Sequence, residues 1–211
     1  MPSVELILAQ FAILVVSLSF HEAAHAFTAD RLGDPTARML GRLTLNPLAH
    51  IDWIGTVLFP LVAMFSGIPL IGWARPVPVN MRHLRDPRRD FAIVALAGPV
   101  SNLILAGAGV ILFKVILAPG VETLAFGGGL VDVVARLILL NVLLAVFNMI
   151  PVPPLDGGNV LMGLVPESVA AAIAWLRPYG ILILYVLMFS GLLVRIIVPI
   201  QNGLLSWLLR P

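Results

Sequence analysis

The chain has 211 residues, of which 60% are hydrophobic and only 11% are charged, and its mean hydropathy is +1.03. Because water-soluble domains carry about 25% charged residues, this composition excludes a soluble globule, a disordered chain and a nucleic-acid-binding module. The net charge of +2 reflects a few arginines against slightly fewer acids and does not indicate a polyanionic partner. Cysteine is absent, which excludes disulfides, iron–sulfur clusters and cysteine-based zinc sites. These values indicate an integral membrane protein.

Apolar runs recur along the chain at the length of membrane helices. A spanning helix needs about 20 mostly apolar residues. Runs without Asp, Glu, Lys or Arg cover residues 6–20, 53–74, 91–113, 137–155 and 178–194, and an apolar tail follows at residues 196–209. We therefore predict an all-α polytopic membrane protein that ends in a C-terminal helical region.

The first apolar run continues into the sequence His21-Glu22-Ala23-Ala24-His25. Histidines at positions i and i+4 share one face of a helix, so both imidazoles can reach a single zinc ion. The glutamate can accept a proton from zinc-bound water, whose pKa the metal lowers to about 7. This H-E-x-x-H pattern is typical of zinc hydrolases. The alternative is a histidine pair at lipid headgroups, but each ionisable group on an apolar helix costs about 2.5–3.5 kcal/mol, which a divalent cation offsets.

Residues 53–74 form an unusual apolar run. Pro60, Gly67, Pro69 and Gly72 would break a lipid-facing helix, which must satisfy its own backbone hydrogen bonds. Arginines cluster on both sides of the run, so the positive-inside rule places both of its ends in the cytoplasm. We predict a re-entrant hairpin here, and a kinked full span is the alternative.

Two short segments beside this hairpin have the composition of extended chain. Residues 37–45 mix branched and apolar residues with arginine and threonine. Residues 74–80 contain Pro76 and Pro78, which force extended neighbours and suit only an edge strand. We predict short β segments at the cytoplasmic side.

A catalytic zinc ion commonly takes three protein ligands and a water, so a third ligand is expected. Candidates in an apolar context are Asp132, Asp156, Glu167, His50 and Asp52. Asp156 is favoured because it follows residues 137–150 in a segment rich in proline and glycine. Such a segment frees backbone groups, which is tolerated only beside protein or a water-filled cavity. The alternative role for Asp156 is the N-cap of a helix that begins at Gly157.

Topology gives an independent test of this ligand. With a re-entrant hairpin, residues 91–113 run outward and residues 137–150 return inward. Asp156 then lies at the same face and depth as His21 and His25. If residues 53–74 crossed the membrane fully, Asp156 would lie on the opposite side of the membrane from the histidines.

Residues 21–25 together with residues 148–158 (NMIPVPPLDGG) resemble the site-2 protease family of intramembrane zinc metalloproteases. The turn Gly98-Pro99-Val100-Ser101-Asn102 in the middle helix is also similar, and the likeness covers residues 7–161. The resemblance, to a compact form without a PDZ domain, implies a three-helix catalytic core and hydrolysis of a peptide bond in or near a transmembrane segment. It also implies one Zn²⁺ per chain on His21, His25 and Asp156, with Glu22 as the general base.

Further residues are candidates for substrate binding. A helical substrate must unwind before its carbonyl can be attacked, and a strand edge at residues 37–45 or 74–80 can hold it by β-augmentation. Asn148 and Pro154 lie on the segment before Asp156 and are predicted to contact substrate, Asn148 through its amide. The alternative for Asn148 is helix packing.

A second polar cluster, His50 and Asp52, lies at the start of the hairpin. It is an accessory candidate that gates water, orients a ligand or binds a second metal. The alternative is an interfacial anchor together with Trp53.

The expected organisation is one membrane-embedded domain over residues 1–211, with a core at 6–165 and C-terminal helices at 168–209. The expected setting is the lipid bilayer of a bacterial plasma (inner) membrane, with the site near the cytoplasmic side. The expected partner is a membrane protein with a transmembrane segment, not a nucleic acid; the oligomeric state is left open. The competing function is a divalent-metal transporter or sensor, since intramembrane His and Asp residues also mark ion pathways.

Overall fold

A computed structural model describes residues 4–67, 72–118 and 128–209, and these ranges are largely helical without a β-strand. The helices are α1 (Val4–Arg31), α2 (Thr36–Met39), α3 (Phe59–Ser66), α4 (Pro87–Ile116), α5 (Gly128–Asn148), α6 (Asp156–Leu164), α7 (Glu167–Trp175), α8 (Gly180–Phe189) and α9 (Leu192–Leu208). In these ranges, four apolar stretches are long enough to cross a membrane: Val4–Arg31, Pro87–Ile116, Gly129–Asn148 and Glu167–Phe189. The predicted all-α polytopic architecture is confirmed.

Helix α4 is the centre of the bundle, and it packs against α1, α5 and α6. A second layer closes over α5, where buried side chains of α4, α5, α8, α9 and the loop after α5 form one apolar cluster. Its members are Ala106, Val142, Val146, Ile150, Leu155, Leu184, Leu193 and Ile197. The helices α1, α4 and α5 are the predicted three-helix core, and the loop after α5 leads directly into α6.

Residues 53–67 lead away from the base of a hairpin, and residues 72–74 lie back at that base. The outgoing arm is a π-helical turn (Trp53–Leu58) followed by α3, which ends where Gly67 adopts the left-handed conformation. On the return arm, Trp73 N donates to Gly55 O at 3.1 Å and Arg75 N donates to His50 O at 2.9 Å. A full crossing would separate these backbone groups by about 30 Å, so the predicted hairpin is present; its tip, residues 68–71, lies outside the described residues.

The hairpin helix also extends far along α1. Met64 of α3 lines a cavity together with Gln10 and Ile13 of α1. Gln10 precedes His21 by eleven residues, which is about 16 Å at 1.5 Å per residue. The hairpin therefore runs beside α1 for most of the apolar length of that helix, as a re-entrant segment would.

The predicted short β segments are wrong. Residues 37–45 begin inside α2 and continue as turns, in which Arg42 N donates to Ala37 O at 2.7 Å. Residues 74–80 are irregular chain without a partner strand. The reason is that Pro76 offers no N–H, while side chains take the neighbouring backbone groups: Arg42 Nη2 donates to Arg75 O at 2.6 Å.

The end of the return arm is fastened to the loop after α1 by Asp34, which is fully buried. Its carboxylate accepts hydrogen bonds from Asn80 N at 2.6 Å and Thr36 N at 3.1 Å, and it lies 3.0 Å from His83 Nδ1. Burial alone would raise the pKa of Asp34, but the hydrogen bonds from Thr36, Asn80 and His83 outweigh it and lower the pKa below its ordinary value. These hydrogen bonds hold the return arm beside the C-terminal end of α1.

Candidate metal centre

The two histidines of the H-E-x-x-H motif lie one turn apart on the buried face of α1. His21 is 5% and His25 is 8% exposed, and their Nε2 atoms are 3.1 Å apart. The helical spacing predicted from the sequence therefore brings both imidazoles to one point.

The other nitrogen of each ring is held by α4. His21 Nδ1 lies 2.7 Å from Asn102 Oδ1, and His25 Nδ1 lies 2.7 Å from Val94 O. Because both partners are hydrogen-bond acceptors, each Nδ1 is placed to donate a proton to α4, and each Nε2 faces the site. This is the orientation that histidine metal ligands commonly take from their outer-shell partners.

Asp156 supplies the third group at the same point. It is the first residue of α6, and the N-cap position belongs to Leu155, so the alternative N-cap role of Asp156 is not observed. Its Oδ2 atom lies 3.0 Å from His21 Nε2 and 3.4 Å from His25 Nε2, and it is buried without a hydrogen-bond donor in the described chain.

These three atoms fit a tetrahedral metal ion. Zn–N and Zn–O distances near 2.0–2.2 Å place neighbouring ligand atoms about 3.3 Å apart, close to the observed 3.0–3.4 Å. Lone pairs that converge at this distance repel one another unless a proton or a metal ion lies between them. In the described parts of the chain, His21, His25 and Asp156 are the one group of His, Asp or Glu residues close enough to hold a metal.

A buried amide network supports the histidine side of the site. Asn102 Nδ2 donates to Asn141 Oδ1 at 2.9 Å, and Asn141 Nδ2 donates to Ser17 Oγ at 2.9 Å. Asn102 and Asn141 are fully buried, and the first bond fixes the Asn102 amide with its oxygen toward His21. The contact of Asn102 with His21 depends on the register of α4 against α1, which the local sequence does not indicate.

Glu22 lines a cavity of about 480 Å³ beside the three candidate ligands. The return arm of the hairpin forms one wall of this cavity, and Val77 N donates to Glu22 Oε2 at 2.9 Å. Glu22 thus lines the same cavity as the three candidate ligands and does not belong to their group. The Val77 contact was not predicted, because nothing in the local sequence indicates which backbone N–H meets this carboxylate.

The other predicted site residues separate into two groups. Asn148 and Pro154 line the cavity, and Asn148 Nδ2 donates to Leu144 O at 3.0 Å. His50 and Asp52 lie at the base of the hairpin instead: His50 Nε2 contacts Thr44 O at 2.8 Å, and Asp52 caps the outgoing arm. Neither belongs to a metal-binding group in the described residues.

The segment Gly98–Asn102, expected as a turn, continues as part of α4. A Cβ atom on Gly98 would lie 2.6 Å from Cε1 of His21 and would overlap the ring of His25. Glycine is therefore required here by the close approach of the two helices, which places the histidines against α4.

We expect Gly98→Ala to weaken zinc binding by about 10- to 100-fold, the range found when outer-shell support of a metal ligand is lost. The measurement is zinc affinity by competition with a chromophoric chelator. Gly107→Ala, on the same helix, is the matched control, because a Cβ atom there would meet no side chain and no other part of the described chain within 4 Å. Equal affinity in the two variants would show that the packing of α4 does not position the histidines.

Comparison with known proteins agrees with this site. The family model described as Peptidase family M50 matches residues 115–190, and no solved structure matches the chain. Similar proteins named "Putative zinc metalloprotease" are YwhC of Bacillus subtilis (45% identical, over 90% of this chain and 84% of that one), Rip2 of Mycolicibacterium smegmatis (34%, over 86% and 66%) and Rip2 of Mycobacterium tuberculosis (32%, over 83% and 64%). With its apolar helices, the chain is a multi-pass membrane protein, and it belongs to peptidase family M50, the site-2 protease family.

Proposed function

We propose that this protein is an intramembrane zinc metalloprotease that hydrolyses a peptide bond in or near a transmembrane segment of a membrane protein. The observation that carries the proposal is the convergence of His21 Nε2, His25 Nε2 and Asp156 Oδ2 beside Glu22. One Zn²⁺ per chain, held by those three atoms, is the cofactor. The zinc metalloprotease names of its relatives support the same chemistry.

Glu22 is the general base in this proposal. When bound, zinc supplies Lewis acidity, which polarises a carbonyl and makes a water more acidic. Glu22 accepts the proton of the attacking water and later delivers it to the leaving amine. Val77 N–H holds Oε2 of Glu22 at 2.9 Å, which fixes the carboxylate beside the cavity.

The return arm and the loop before α6 present the substrate. Residues 74–79 run along the cavity without a partner strand, so an unwound substrate segment can pair with this edge. Residues 37–45 do not line the cavity and are no longer a candidate edge. Asn148 and Pro154 line the same cavity, and in this proposal the Asn148 amide contacts the substrate backbone.

The membrane setting follows from the arginines on both sides of the hairpin. By the positive-inside rule they place the base of the hairpin, and with it the metal centre, near the cytoplasmic side. A bacterial plasma membrane fits the sources of the similar proteins. A metal transporter is not favoured, because the described residues hold one compact ligand group and no series of groups across the helices.

The test uses purified protein in liposomes with a single-span test substrate tagged at both ends. One version of the span carries a Gly-Pro pair near its cytoplasmic end, and the matched version is uninterrupted leucine. We expect zinc-dependent cleavage inside the Gly-Pro span, since glycine and proline lower helix stability there. Mass spectrometry of the fragments locates the cleaved bond.

As a control, a zinc chelator should stop cleavage, and added zinc should restore it. Cleavage confined to the soluble tags would overturn the intramembrane part of the proposal while leaving a metalloprotease. No cleavage of either substrate by zinc-loaded protein, combined with zinc flux into the liposomes, would overturn the proposal in favour of transport.

A further inference from the structure

A second cavity lies far from the metal centre, between α1, α3, α5 and α9. It measures about 370 Å³, and its polar lining residues are Gln10, Arg136 and Gln201. Most of its remaining lining is aliphatic, from residues such as Leu139 and Leu143 on α5. The proposed protease mechanism uses none of these side chains.

Arg136 is the unusual member of this cavity. Its Nε atom is buried and has no hydrogen-bond partner in the described residues. It takes no part in the ion pairs of the described chain, and Asp132, one turn earlier on α5, is exposed and does not pair with it. A charged group on a membrane helix is costly unless it finds a partner, and an anion from outside the chain would supply one for this guanidinium.

The depth of Arg136 indicates which anion is within reach. Arg136 directly precedes the apolar run 137–155. Asp132 lies about 6 Å closer to the N-terminal end of α5, at 1.5 Å per residue. Arg136 also precedes Asn148, beside the metal centre, by twelve residues, about 18 Å. It therefore lies in the half of the membrane remote from the metal centre, and its long side chain can extend toward the lipid phosphates on that side.

The shape and chemistry of the cavity match the rest of a lipid. Aliphatic side chains suit an acyl chain, and the Gln10 and Gln201 amides can bond headgroup oxygens. The cavity is accessible from the bilayer, since Leu139 in its wall is 46% exposed. A guanidinium binds phosphate through two parallel N–H groups.

We propose that this cavity is a binding site for one anionic phospholipid, with its phosphate on Arg136 and an acyl chain against Leu139 and Leu143. Met64 of the hairpin helix α3 forms another part of the wall. The bound lipid thus contacts the same hairpin whose return arm reaches Glu22 through Val77.

Native mass spectrometry of the detergent-solubilised full chain tests the site. The probes are phosphatidylglycerol and phosphatidylcholine with identical acyl chains, and inorganic phosphate as a separate competitor. We expect one phosphatidylglycerol per chain, retained under collision energies that remove phosphatidylcholine. Arg136→Gln should weaken this binding at least about tenfold, as loss of a charge-assisted contact predicts.

Two further variants keep the test decisive. Arg195→Gln removes an exposed arginine from α9 and should leave phosphatidylglycerol binding unchanged. Leu143→Trp keeps the charge but fills the cavity, and it should weaken binding although Arg136 is intact. Circular dichroism and thermal unfolding of each variant show whether it is folded.

Four results would overturn the proposal. Equal losses in Arg136→Gln and Arg195→Gln would indicate general headgroup contact, and equal retention of phosphatidylcholine would remove the role of charge. Displacement of the lipid by inorganic phosphate would indicate an anion site without an acyl chain. Unchanged binding in folded Leu143→Trp would show that the lipid does not occupy the cavity.

Discussion

Glu22→Gln is expected to lower the rate of peptide hydrolysis by about 10²- to 10⁴-fold, the usual contribution of a general base, while zinc remains at one ion per chain. Glutamine has the same shape as glutamate and can still accept the hydrogen bond from Val77 N, but its amide cannot take a proton from water. Zinc content by elemental analysis and cleavage of the Gly-Pro test substrate are measured on the same preparation.

Glu5→Gln is the matched control for this change, because Glu5 is exposed in the first turn of the same helix. It should leave both zinc content and cleavage unchanged. Loss of zinc in Glu22→Gln would show that Glu22 is a metal ligand, and full activity with bound zinc would show that another group takes the proton.

Asp156→Ala is expected to remove zinc from the protein and, with it, all hydrolysis. Even outer-shell partners of zinc ligands contribute about 10- to 100-fold to affinity, so loss of one of three direct ligands should exceed about 100-fold. The two Nε2 atoms, 3.1 Å apart, would then be left without the carboxylate that neutralises the ion. Zinc affinity is measured by competition with a chromophoric chelator.

The matched control is Asp132→Ala, which removes an exposed carboxylate from α5 and should retain zinc and activity. Zinc at one ion per chain in Asp156→Ala would mean that a different residue is the third ligand. Zinc lost equally from Asp132→Ala would mean that the effect of Asp156→Ala is not specific to the site.

The order and type of the membrane helices were predictable from the sequence because a bilayer imposes a simple length and hydropathy requirement. Helix boundaries were less predictable: α5 begins at Gly128, well before the predicted start at residue 137, because charged residues such as Asp132 and Arg136 end an uncharged run without ending a helix. The β segments failed for a different reason. The prolines indicate extended chain, but extended chain becomes a β-sheet only when a neighbouring strand pairs with it. Here the side chains of Glu22 and Arg42 take the backbone groups that such a strand would bind.

The candidate site was predictable to a similar degree. His21 and His25 follow from helical spacing alone, and Asp156 follows from topology, because a hairpin that returns to its own side brings α6 to the histidines. His50 and Asp52 were plausible accessory residues by type, yet their hydrogen bonds are local to the hairpin base. Residue type near a motif does not determine which cavity a side chain lines.

By itself the sequence determined the membrane class, the helix-borne H-E-x-x-H pair and the aspartate that returns to it, because each depends on hydropathy, helical period or the order of crossings. Only the tertiary structure decided that Asn102 orients His21, that Val77 N holds Glu22 and that Arg136 lines a second cavity with its buried Nε unpaired among the described residues. These contacts join residues far apart in the chain, and their geometry depends on the register of packed helices, which local pattern does not encode.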